Sequence, residues 1–128
     1  MIDRVHFTTG AASGSAGSAT ATGYSAHVSG EVLAVHVAYG DSPPAGTTDF
    51  TLWDENDPAS ENIVSLSNGA TDQKLYPSRL LETNDGTDLT YDGTRKVYGR
   101  YVVHGRLAAK IAQANANDYV TVTVWIRK

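Results

Sequence analysis

A chain of 128 residues with 41% hydrophobic residues and a formal net charge of −4 has the size of one domain and is too apolar for wholesale disorder. The acidic balance, with basic residues scattered from Arg4 to Lys128, excludes a general electrostatic attraction to nucleic acid, and the absence of cysteine excludes disulfides, thiolate metal sites and thiol chemistry. No apolar run approaches the roughly 20 residues that cross a bilayer, and Met1-Ile2-Asp3-Arg4 lacks the layout of a secretion signal, so the expectation is a soluble protein made inside a cell, with no membrane partner.

The chain opens on a β-like run, Arg4 to Thr8, and continues from Thr9 to Thr22 almost entirely in Gly, Ala, Ser and Thr. That composition offers little burial energy and predicts an extended or flexible arm over residues 1–23, ahead of one domain over 24–128. Thr20, Thr22 and Tyr24 share one alternate face, so the second half of the stretch can become a strand where an edge is open to it.

From Glu31 to Tyr39, Leu33, Val35, Val37 and Tyr39 alternate with smaller or polar residues, the period-two pattern of a strand with one face on a core. Gly40 to Gly46, with Pro43 and Pro44, reads as a turn. Asp49–Trp53 and Asn62–Leu66 follow as a hairpin or an exchange between sheets, separated by a polar loop. Lys74–Pro77 reads as a short edge strand, and Asn84-Asp85-Gly86 and Asp92-Gly93 as turns on either side of Leu89-Thr90-Tyr91.

Val97–His104 reads as a strand carrying aromatics. Arg106–Gln113 fits both a short helix and a strand; the turn residues Asn115 to Asp118 that follow favour strand. Tyr119–Ile126 is the strongest pattern of all, with Val120, Val122, Val124 and Ile126 on one face. Each such side chain contributes about 1.5–3 kcal/mol when fully buried, which marks this strand as central. Short strands at roughly 8–12-residue spacing predict an all-β fold, an antiparallel β-sandwich of jelly-roll-like or other Greek-key topology with an extended N-terminal arm.

Chemistry-bearing patterns are absent. His6, His27, His36 and His104 match no compact ligand or catalytic spacing, and packing or rim hydrogen bonds account for them. The acidic loops at Asp54–Asp57 with Glu61 and at Asn84–Asp88 lack the spacing of a calcium loop and have turn chemistry. The Gly-rich region has no Walker lysine, no nucleophile elbow is present, and no carboxylate pair stands out. The expectation is therefore no enzyme, no catalytic residue, no metal and no cofactor. Tyr and Trp greatly outnumber the two Phe, and residues of that kind suit interfaces. The candidate interface residues are Phe7, Tyr24, Trp53, Tyr119 and Trp125.

The run Gly17–Tyr24, the strand Gly30–Val37 followed by Gly40–Ala45, the segment Leu89–Arg95 and the closing Val120–Val124 resemble small β-sandwich virion proteins of tailed bacteriophages. The resemblance implies a capsid decoration or cement protein. Its partners would be the major capsid protein or other virion proteins, with the chain itself a homo-oligomer, a trimer being the arrangement common in such proteins. Its place would be the virion, assembled in the host cytoplasm. A tail or neck component, and a carbohydrate-binding or host-recognition module, are the alternatives the same residues leave open.

Overall fold

The computed structural model describes residues 1–40 and 44–128, so part of the expected Gly40–Gly46 turn lies outside the described residues. Among the described residues the protein is all-β, with no helix and with antiparallel pairing throughout. Its strands are β1 (Ile2–Thr8), β2 (Ala19–Tyr39), β3 (Asp49–Asp54), β4 (Asn62–Leu66), β5 (Gln73–Leu75), β6 (Arg79–Leu80), β7 (Tyr98–Gly99), β8 (Val102–Ala114) and β9 (Val120–Arg127).

The long strand β2 organises the rest. Its first half pairs with β8, from Ala19↔Ala114 to Glu31↔Val102, and its second half pairs with β9, from Glu31↔Arg127 to Tyr39↔Val120. Between these halves stands Gly30 at φ +139°, where a Cβ would lie 2.3 Å from the carbonyl oxygen of Arg127. Only glycine combines that backbone angle with so close an approach. The sheet order is β1-β9-β2-β8-β3-β4, with β5 added to β2. Passing through Gly30, β2 belongs to two layers: its first half lies with β8, β3 and β4, and its second half with β9, β1 and β5.

The inward side chains of both layers form one hydrophobic core. Phe50 and Leu52 of β3, Leu107 and Ile111 of β8, Val35 and Val37 of β2, and Val120, Val122, Val124 and Ile126 of β9 are all buried in it. Strand β9 lies between β1 and β2, the central position that its valine alternation predicts. The Arg106–Gln113 segment is strand: β2 and β3 flank it on both sides, and alternation puts Leu107, Ala109 and Ile111 into the core together.

Residues 1–23 differ from the flexible arm that their composition allows. They are extended, but every part is tied to the domain. Strand β1 pairs with β9 from Ile2↔Arg127 to Thr8↔Thr121. Thr9 N donates to Val120 O at 3.0 Å, and Ala12 N donates to Asp118 O while Asn117 N donates to Ala12 O, both at 2.8 Å. Ala12 and Ala19 are buried, and the boundary drawn between 23 and 24 falls inside β2. At Gly23 a larger residue would not fit, since a Cβ there would meet the Thr8 carbonyl oxygen at 1.9 Å.

Leu52→Ala should lower unfolding free energy by about 2–5 kcal/mol in a urea titration, because Leu52 is fully buried and the rigid sheet around it cannot close the cavity. Among the described residues the Tyr39 hydroxyl is buried without a hydrogen-bond partner, and burial, helped by the nearby Asp72 carboxylate, pushes its pKa up. An unfolded tyrosine ionises near pH 10, so folding holds Tyr39 protonated; its contribution is complete below that pH and is lost as pH rises through the higher folded value. Tyr39→Phe should therefore be neutral or stabilising at pH 7 and should lose less stability than the parent above about pH 10, as denaturation midpoints at both pH values will show.

Candidate functional site

Between Tyr76 and Tyr101 the chain leaves the two layers and builds a separate lobe in which no residue is buried. Strands β6 and β7 pair at its base through Arg79↔Gly99 and Leu80↔Tyr98. Beyond them the sequence repeats with a period of eight: Leu81, Leu89 and Val97 mark the period, and Asp85-Gly86-Thr87 and Asp92-Gly93-Thr94 lie in the two intervals. The three apolar residues close a ring of main-chain hydrogen bonds. Leu81 N donates to Val97 O at 2.8 Å, Leu89 N to Leu81 O at 2.9 Å and Val97 N to Leu89 O at 3.1 Å.

Each Asp-Gly-Thr segment turns the chain at a tip. The Asp85 carboxylate accepts from the Thr83 hydroxyl and from Thr87 N, and Asp92 accepts from Thr94 N at 3.0 Å and Arg95 N at 2.7 Å. These donors favour the ionised form, so both carboxyls titrate below the usual aspartate value, Asp85 chiefly through the Thr83 hydroxyl and Asp92 chiefly through Arg95 N. Surface ion pairs add little to this order, since exposed pairs such as Lys96–Asp88 at 2.8 Å contribute about 0–1 kcal/mol each.

The lobe displays aromatic surface. Tyr76, Tyr91 and Tyr98 are 68%, 66% and 59% exposed. Arg95 Nη1 donates to the Tyr91 hydroxyl at 2.6 Å, with its guanidinium 5.7 Å from the ring centroid, and Lys74 Nζ lies 5.7 Å from the Tyr76 ring. Tyrosine presents a large, stiff, amphipathic face, and Tyr and Arg dominate binding energy where proteins meet.

The interface candidates named from sequence do not gather into one patch. Phe7 is a core residue at 9% exposure. Tyr24 and Trp53 both face Ala108 across the register, and Ala108 is fully buried although it lies outside the core cluster. The Arg106 guanidinium covers the other side of Tyr24 at 3.9 Å. Trp125 stands between Arg4 and Ala34 in the same manner, with Lys74 Nζ 4.3 Å above its ring. These three aromatics thus lie beside an alanine on the outer faces of the layers, with Tyr24 and Trp125 also under long cationic side chains. Tyr119, 40% exposed, packs where a Cβ on Gly40 would stand.

The sequence reading gives the lobe two turns around Leu89-Thr90-Tyr91 and the ends of two strands, Lys74–Pro77 and Val97–His104; the eight-residue spacing of Leu81, Leu89 and Val97 was the further signal available. It also left the histidines dispersed. The β2–β8 register brings His27 and His104 together with ring centroids 5.0 Å apart and ring planes at 89°. His6 and His27 line one side cleft of about 470 Å³ between β1 and β2, whereas His36 pairs with Lys74 and Thr123 in the other layer. Among the described residues no group of three or more His, Asp or Glu is arranged to hold a metal ion.

No family model and no curated protein matches the chain. Among solved structures it is similar to one described as "Crystal Structure of FLHE", at 12% identity and a TM-score of 0.47, over 99% of this chain and 98% of that one. That description names no virion protein. The expectation of a capsid decoration or cement protein stands corrected, since no comparison gives it support. The free arm that would have reached a capsid neighbour is also missing, because β1 is paired within its own sheet.

Lowering pH from neutrality through the aspartate range should loosen the two tips while the core stays folded. Folding depresses the Asp85 and Asp92 values, so their contribution is present above the ordinary value of 3.8 and is lost as pH falls through the lower folded values. Amide shifts of Thr87, Thr94 and Arg95 followed by NMR should move in this window ahead of those of Val122 and Val124.

Proposed function

We propose that this chain is a non-catalytic assembly domain that associates with further copies of itself through the 76–101 lobe. The observation that carries this reading is an ordered segment with exposed tyrosines and no buried residue. Ordering backbone costs about 1–2 kcal/mol per residue, and a segment that buries nothing in the core recovers little of that cost within its own chain. A binding role accounts for its order.

Charge favours a second copy as the partner. The lobe contains four basic residues, Arg79, Arg95, Lys96 and Arg100, and four acidic ones, Glu82, Asp85, Asp88 and Asp92, which balance. The net charge of −4 therefore rests entirely on the two-layer body. Two lobes can meet without net repulsion while the acidic bodies stay apart, and the mixed signs allow Arg of one copy to face Asp of the other in a closed symmetric pair.

Sedimentation velocity at about 10–100 µM should show the full chain as a closed oligomer, a concentration range suited to the micromolar affinities of modest interfaces. Tyr91→Ala combined with Tyr98→Ala should give a monomer with an unchanged thermal midpoint, because neither ring contributes to the core. A parent chain that stays monomeric throughout, or a double variant that associates as well as the parent, would remove this reading.

A further inference from the structure

We propose that His27 and His104 form a two-imidazole site for a divalent transition metal, of the zinc, nickel or copper class. The site is independent of the lobe and lies on the outer face of the layer containing β8. Its two ligands come from neighbouring strands whose register is fixed, with Ser29 opposite His104 and His27 opposite Arg106. Both rings are exposed, so an ion reaches them without any opening of the fold.

The spacing fits one shared ion. An imidazole nitrogen binds zinc at ~2.0–2.1 Å, and two rings sharing a tetrahedral ion have centroids about 5 Å apart. The observed separation is 5.0 Å. The perpendicular planes place an edge of one ring toward the other, and rotation about the Cβ–Cγ bonds, a broad torsion in histidine, turns one nitrogen of each ring to the common point.

The surroundings prepare the pair for this. Ser29 Oγ lies 3.4 Å from Nδ1 of His104, within reach of a hydrogen bond to that nitrogen when Nε2 takes the ion. His104 is held at its main chain, where its N–H donates to the buried Asp54 carboxylate at 2.9 Å; the same carboxylate accepts from Asn56 N at 2.9 Å. The adjoining Glu55 is already engaged by Arg106, whose Nε and Nη2 donate to its Oε2 at 3.1 and 2.9 Å. Water therefore completes the coordination, and imidazole ligands select zinc, nickel and copper over magnesium or calcium.

Isothermal titration of the untagged full chain with zinc chloride, and separately with nickel chloride, tests the assignment. The expected result is one ion per chain, with affinity reduced at least tenfold in His27→Ala and equally in His104→Ala, and unchanged in His6→Ala and His36→Ala. Both ligand variants should keep the parent's circular dichroism spectrum, since neither ring enters the core. Absence of saturable binding in the parent would overturn the proposal. So would binding that survives His27→Ala or His104→Ala, or a loss of equal size in His36→Ala.

Discussion

A single strand, β2, has to serve two layers, and the fold depends on the bend that lets it do so. At Gly30 the main chain adopts an angle that disfavours any side chain while touching the carbonyl oxygen of Arg127. The first half of β2 then has β8 as its neighbour and the second half has β9. Because the two layers are one sheet continued through this bend, the registers of β2 with β8 and β9 set which side chains face inward. The core of β3, β8, β2 and β9 residues is the consequence, and no disulfide is needed to hold the layers together.

Much of this was legible in the sequence wherever burial is one-sided. Val120, Val122, Val124 and Ile126 alternate because a central strand faces the core with every second residue, and Val35 to Tyr39 and Phe50 to Leu52 follow the same logic, whereas the register shift between Val32 and Ala34 puts Val32 in the core and leaves Leu33 out of it. The helix or strand ambiguity of Arg106–Gln113 is resolved by neighbours: only a strand pairs with β2 and β3 on both edges. Residues 1–23 suggest an extended or flexible arm because Gly, Ala, Ser and Thr carry little burial energy. What periodicity cannot show is that close main-chain contact, as at Gly23 against Thr8, demands small residues for steric reasons.

The outer faces were harder to read for a related reason. An aromatic opposite the core face of a strand suggests a missing partner, yet Tyr24, Trp53 and Trp125 each stand opposite an alanine on the adjacent strand. Pairing of large with small across strands is a property of register, which sequence alone does not supply. The same register unites His27 and His104, which are far apart along the chain. The lobe shows the opposite case. Its eight-residue spacing was visible all along, but neither helical nor strand periodicity has that length, so it carried no meaning until the ring of main-chain hydrogen bonds supplied one.

That ring separates two kinds of sequence constraint. The lobe joins the two-layer body where residues 76 and 101 come and go, and the path of its main chain is set by its own hydrogen bonds and by the aspartates at its tips. Side chains that point outward from it are therefore free to vary without disturbing the valine-rich interior. The same partition makes residues 76–101 the natural place to graft a new recognition loop, with the bend at Gly30 and the strand that follows it left untouched.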